Sequence, residues 1–158
     1  MTLRMCIAAL ACMLVMCTEG RTQTSENSLP ITPADEIATA LNAAPEREGP
    51  APATPDGVPH QQLNQNAPLA MIQALTASAI PLPGIKFAPT PFSLAGSLGW
   101  RLEPDLAQGP DEGFIRGTLE FGHQHRVEDG SMHLLLPSEL ATIALEKGWG
   151  VIHPIDDT

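Results

Sequence analysis

The sequence predicts an α+β domain: an antiparallel sheet of about five to six short strands with two main helices packed on one face. Three observations predict it. Short apolar pieces recur between residues 85 and 153, broken every eight to twelve residues by Gly, Pro or Asp, as in an antiparallel sheet. A stripe at helical spacing, Leu69, Ile72, Leu75 and Ala79, precedes them. A second such stripe, Leu140, Ile143 and Ala144, interrupts the series before its last strand.

The N-terminus comes first. Arg4 is the only charge before Glu19, and Met5 to Met16 is an unbroken apolar run. A basic head with a run of this length reads as a secretory signal peptide over residues 1–20, too short to span a bilayer. The expected location is the cell envelope (periplasm or outer surface) or beyond it. Cys6, Cys12 and Cys17 all lie in this segment, so the mature domain has no disulfide. Leu14-Val15-Met16-Cys17 resembles a bacterial lipoprotein cleavage box, which would attach the chain to a membrane through lipidated Cys17; a plain signal-peptidase cut near Gly20 or Thr22 is the alternative.

Residues 21–60 hold seven prolines and no aromatic residue. Such a segment buries little apolar surface and is expected to be a flexible tether. Within it, Thr32-Pro33-Ala34-Asp35 can start a short helix to Ala44, with Ile37 and Leu41 on one face. His60, placed in the tether, has no expected role.

The domain is expected over residues 61–158. Asn66 is the expected N-cap of the first main helix, with Pro68 in its first turn and Pro81 and Pro83 ending it. The expected strands are Ile85–Ala88, Phe92–Ala95, Leu98–Leu102, Phe114–His125, Met132–Leu136 and Val151–His153. Gln108 to Gly113 reads as a loop. Ser138 is the expected cap of the second helix and Gly148 its C-terminal stop.

The chemistry concentrates between Glu120 and His133, where three of the five histidines fall within eleven residues. Pairing the strand that ends at His125 with Ser131–Leu136, across a loop from Arg126 to Gly130, sets His125 opposite Ser131 and His123 opposite His133. Opposed residues share a face. Leu119, Phe121, His123, His125, Ser131, His133 and Leu135 then lie on one side, and Glu120, Gly122, Gln124, Met132, Leu134 and Leu136 on the other. A one-residue slip would undo this grouping.

Three roles are open to these imidazoles. His123, His125 and His133 could bind a divalent metal, with Glu128 or His153 completing the set. They could work without metal as acid, base or substrate clamp, oriented by Glu120 or Glu128. They could be structural. Asp129 is expected to accept local backbone hydrogen bonds, and Ser131 has no nucleophile-elbow spacing around it. The partner is a small molecule or a metal. The net charge of −10, from 18 acidic and 8 basic residues, argues against nucleic acid, and no flavin, NAD or ATP motif is present.

Residues 114–155 also resemble the luciferase-like domain family, which includes fungal luciferase. The resemblance rests on Glu120-Phe121-Gly122-His123-Gln124-His125, Asp129-Gly130-Ser131-Met132-His133, Leu136-Pro137, Gly148-Trp149-Gly150 and His153-Pro154. It implies an oxidoreductase acting with molecular oxygen, since fungal luciferases oxidise a hydroxylated pyrone. It implies a catalytic set of His123, His125, His133 and His153, with Phe121, Trp149 and Glu120 near the substrate. The implied reaction is oxidation of a small phenolic or enolic compound: His123 or His133 would take a proton, His125 and His153 would hold developing charge, and Trp149 would pack on the ring. The alternative is a non-enzymatic metal- or ligand-binding envelope protein.

Overall fold

The computed structural model describes residues 2–7, 33–126 and 128–155, leaving aside the side chains of residues 2–7, 33 and 116. Its sheet contains β1 (Thr2–Ile7), β2 (Ile85–Pro89), β3 (Leu98–Leu102), β4 (Glu120–Gln124), β5 (Met132–Pro137) and β6 (Gly150–Ile152). The spatial order is β2-β3-β4-β5-β1-β6, and every neighbouring pair is antiparallel. The helices are α1 (Pro33–Ala43), α2 (Leu69–Ala79) and α3 (Ser138–Glu146). The architecture is α+β, as expected.

One face of the sheet carries the apolar core. Ala79 of α2 packs with Trp100 of β3 and Met132 of β5, with Phe87, Phe121 and Leu134 against them. Ala141 and Ala144 of α3 sit on Leu134 and Leu136. Both main helices therefore share the Met132–Leu134–Leu136 side, joined by Leu134, and the opposite side of β4 and β5 is left to the histidines. Small alanines on α3 let the helix lie close to the strand that precedes it.

The ends of the elements are partly as the sequence predicts. Gly148, at φ +74°, closes α3: Trp149 N–H donates to Ala144 O and Gly148 N–H to Leu145 O, both at 2.9 Å. Ser138, in contrast, is the first helical residue and makes no cap; Pro137 holds the cap position and contributes a preset φ instead. Likewise Asn66 does not cap α2 but reaches Glu128 O at 2.7 Å, tying the helix entry to the β4–β5 loop. The expected strand over residues 92–95 is a series of bends, and the segment before β4 is broken by a 3-10 turn at Ile115–Gly117.

Thr2–Ile7 lies in the sheet between β5 and β6, so a cut near residue 20 would take this strand away. Residues 8–32, with Cys12 and Cys17, lie outside the described residues. From Pro33 onward, the expected tether is packed against the domain. Arg47 N–H donates to Lys147 O at 2.8 Å, Trp149 Nε1 donates to Pro45 O at 2.8 Å, and Ala44 is buried. Proline-rich chain loses little entropy on being fixed, so a composition unsuited to forming a core still suits a strap laid across one. The folded body thus starts well before residue 61. Among the described residues no helix is long and apolar enough to cross a membrane.

The closest approach inside the sheet is at Gly122, where an added Cβ would lie 2.6 Å from His133 O and 2.4 Å from Leu134 Cδ2. Gly122→Ala is expected to push β4 and β5 apart and cost about 1–3 kcal/mol, the usual range for overpacking. Thermal or urea unfolding measures this. Gly57→Ala, where nothing lies within 4 Å, should stay within about 0.5 kcal/mol of the parent protein.

Candidate functional site

The register of the β4–β5 ladder is His123↔His133, Gly122↔Leu134 and Gln124↔Met132. His125 continues it, its N–H donating to Ser131 O at 2.8 Å. The three imidazoles therefore gather on one face. Ring centroids lie 5.8 Å apart for His123 and His125, which stack, 5.0 Å for His123 and His133, and 4.5 Å for His125 and His133.

The other edge of β4 changes the expected sidedness. Trp100 pairs with Gly122 but Arg101 pairs with Glu120, so Phe121 is an extra residue in a β-bulge. Beyond the bulge the alternation reverses. Glu120 joins the histidine face and Phe121 turns to the core with Trp100 and Met132. Phe121 is thus a packing residue, not a substrate contact. Glu120 is completely buried, and its carboxylate lies over Gly99, where a Cβ would stand 2.5 Å from Oε2. A side chain at position 99 would fill the carboxylate's space.

Each strand histidine of β4 is held by a carboxylate at Nδ1. Glu120 accepts from Thr90 Oγ1 at 2.7 Å and from Arg101 Nη2 at 3.3 Å, and lies 3.2 Å from His123 Nδ1. Asp129 accepts from Ser131 N–H at 2.9 Å and Ser131 Oγ at 2.5 Å, and its other oxygen lies 2.5 Å from His125 Nδ1. Both carboxylates act as acceptors, so both rings carry their proton on Nδ1 and turn a bare Nε2 lone pair the other way. His123 Nε2 then accepts from His133 Nδ1 at 3.1 Å, which leaves His133 Nε2 bare as well. Among the described residues, His125 Nε2 and His133 Nε2 are buried with no hydrogen-bond partner. The hydroxyl of Ser131 is spent on Asp129 and the residue is 2% exposed, which removes it as a nucleophile.

The remaining two histidines come to the same place. His153, just past β6, lies with its ring 4.5 Å from that of His133; its Nδ1 accepts from Ile155 N–H at 3.1 Å, fixing its proton on Nε2. His60 lies 5.1 Å from His153 and 5.9 Å from His133, centroid to centroid, and is 4% exposed. Its Nδ1 is also buried without a partner. All five histidines of the chain therefore line one cavity of about 490 Å³, whose other walls include Phe92, Leu94, Ile115 and Leu135.

Two expected participants are elsewhere. Trp149 does not line this cavity; it faces a small crevice with Gln62 and Gly148 and gives its N–H to Pro45 O. Glu128 is exposed and pairs with Arg126 Nε at 3.5 Å. Conversely, sequence reasoning missed His60, and missed Asp129 as the group that orients His125. The signal for Asp129 was present: an Asp four residues after His125, across a tight turn, can reach back to it. For His60 the only signal is a histidine closing a stiff Val58-Pro59 stretch.

Burial makes protonation of His133 and His60 unfavourable. His133 is driven down to about 2, first by burial and then by the imidazoles of His125, His123, His153 and His60. His60 is also lowered, again first by burial. Burial alone would raise Asp129, but its hydrogen bonds from His125 and Ser131 outweigh that and hold it below the ordinary carboxylate range.

Residues 118–158 match the family model of the Luciferase domain. The match spans β4, the histidine loop, β5, α3 and β6, and so includes four of the five histidines. No curated protein sequence and no solved structure matches the chain.

The cluster sets a pH dependence. The unfolded chain protonates a histidine near 6.5, whereas the folded chain keeps His133 neutral to about 2. Below 6.5 the unfolded state therefore binds more protons, and stability falls as the pH falls. In metal-free protein the unfolding free energy should drop between pH 6.5 and 4.5, with His133 contributing a slope of about 1.4 kcal/mol per pH unit. His133→Asn should flatten the profile by about one proton. Asp129 acts in the same direction only below its ordinary value of 3.8. Urea unfolding across this range measures both.

Proposed function

We propose that this protein holds a divalent transition-metal ion on His123, His125 and His133 and oxidises a small phenolic or enolic compound, with dioxygen as the oxidant, in the adjoining cavity. One observation carries the metal half. His125 Nε2, fixed from behind by Asp129, is buried with no hydrogen-bond partner among the described residues, and it shares the face with His123 Nε2, which Glu120 orients and which meets His133 Nδ1. Ligand nitrogens from the three rings fall within 4.8 Å of one another. His123 Nε2 and His133 Nδ1 are 3.1 Å apart, a spacing that suits two nitrogens each about 2.1 Å from one ion. An all-nitrogen set selects zinc, copper, iron or nickel over magnesium or calcium.

The protonation behaviour favours a metal over a free base. The chain Glu120–His123–His133 would make His133 Nε2 a proton acceptor. A ring held neutral down to about pH 2 takes a proton poorly at neutral pH, since a useful base titrates near the working pH. A metal ion needs the neutral ring and gains from the same property.

The oxidative half rests on the likeness to the Luciferase domain and on the cavity. Three protein ligands leave positions on the ion for an ionised phenol or enol oxygen and for dioxygen. Phe92, Leu94, Ile115 and Leu135 supply apolar walls suited to a small planar compound and exclude water from it. The second reading is a non-enzymatic metal-binding protein, which the same site supports without the cavity. Export and lipidation at Cys17 rest on the N-terminal sequence alone.

Protein stripped with chelator and reloaded with Cu²⁺, Zn²⁺ or Fe²⁺ is expected to bind metal tightly at this site. His125→Ala should abolish that binding, and Asp129→Asn should weaken it about 10–100-fold, the usual effect of losing an orienting partner. Oxygen uptake with a panel of catechols and hydroxypyrones should appear only in protein loaded with a redox-active ion, Cu²⁺ or Fe²⁺, and not with Zn²⁺. Tight metal without oxygen uptake would leave the non-enzymatic reading standing. No metal binding would overturn both.

A further inference from the structure

A single ion on His123, His125 and His133 does not account for the whole cluster. If His133 ligates through Nδ1, the nitrogen that faces His123, its Nε2 stays buried and unpartnered. His60 Nδ1 stays so too. These two nitrogens belong to a second group: His60, His133 and His153 also bring ligand atoms within 4.8 Å of one another. His133 is the member common to both groups.

The geometry points to a second metal site on His60, His133 and His153, with the ring of His133 bridging two ions. This rests on the first site proposed above and extends it. The first ion takes His123 Nε2, His125 Nε2 and His133 Nδ1. The second takes His133 Nε2, His60 Nδ1 and His153 Nε2, since His153 Nδ1 is occupied by Ile155 N–H. Every buried imidazole nitrogen that lacks a partner among the described residues then has one. The balance is explicit. His133 loses its Nδ1 proton to solvent and bridges as imidazolate, and His153 loses its Nε2 proton to solvent; these two metal–nitrogen bonds replace N–H bonds, and the other four form on bare lone pairs. Two dications compensate the charge, in a cavity where an unpaired anion would be costly. The bridge suits nitrogen-seeking ions, Cu²⁺ and Zn²⁺ foremost.

The site also gives a purpose to the strap that precedes the domain. His60 enters the cavity because residues 58–62 are drawn toward the histidine loop, where Gln62 N–H reaches Asp129 Oδ1 at 3.4 Å. Asp129 thus orients His125 of the first site and anchors the segment that brings a ligand to the second.

The test is a Cu²⁺ titration of the metal-free full chain, read by metal content after desalting and by electron paramagnetic resonance. Two equivalents should bind, and the integrated resonance should fall well below two spins, because an imidazolate bridge couples the ions. His60→Ala should bind one equivalent at full single-spin intensity. His60→Gln, which keeps the bulk, should behave the same and separates ligation from folding, with circular dichroism as the check. One equivalent in the parent protein, unchanged by either variant, would overturn the second site and leave the first. Two equivalents with two uncoupled spins would overturn the bridge. No binding at all would remove the first site and this inference together.

Discussion

The pairing of His123 with His133 across the β4–β5 ladder is the constraint on which the rest depends. A strand exposes alternate residues, so one register places three imidazoles together and the adjacent one separates them. The register is held from the core side. Met132, Leu134 and Leu136 meet α2 and α3 there, and a one-residue slip would carry that whole set to the polar face. Gly122 adds a steric lock, since its missing side chain admits His133 O and Leu134. The apolar packing and the histidine cluster are two sides of one decision.

Around that ladder, a few polar groups convert a set of rings into directed nitrogens. The bulge at Phe121 sends Glu120 to the histidine face, Gly99 leaves room for its carboxylate, and Arg101 and Thr90 supply donors to a group with no exposed surface. Asp129 performs the same task for His125 from a turn. Removing either carboxylate would free a ring to rotate or change tautomer, although it touches no ligand. Burial then keeps His133 neutral and lowers His60 as well, favouring the form in which imidazole binds metal. Orientation and neutrality have different origins, hydrogen bonding for one and desolvation for the other.

Much of this was legible in the sequence, because it is local. The alternation of β4 and β5, the apolar stripes of α2 and α3, and the Gly148 stop follow from periodicity and turn chemistry. The nearness of His153 to His133 is not legible in the sequence, because β6 reaches the sheet through non-local pairing with β1. The bulge was invisible for a related reason: it arises from matching β4 to β3, a partner whose register the hairpin pattern does not contain. That single extra residue exchanged Glu120 and Phe121. The place of His60 is hidden because a proline-rich composition reads as tether. Stiff chain with little entropy to lose can be pinned by a few contacts, and Pro45, Arg47 and Gln62 supply them. Trp149 went the other way, an aromatic residue in a suggestive motif whose N–H serves that strap.

The account stands on carboxylates fixing which ring nitrogens are bare, and nitrogen-15 NMR of the histidine side chains reads this directly. In metal-free protein at neutral pH, His123 and His125 should each give the signature of a neutral ring protonated at Nδ1, and His153 that of a ring protonated at Nε2. His133 should stay neutral well below pH 6. Averaged signals showing both tautomers in exchange at His123 and His125, or ordinary titration of His133 near 6.5, would contradict it.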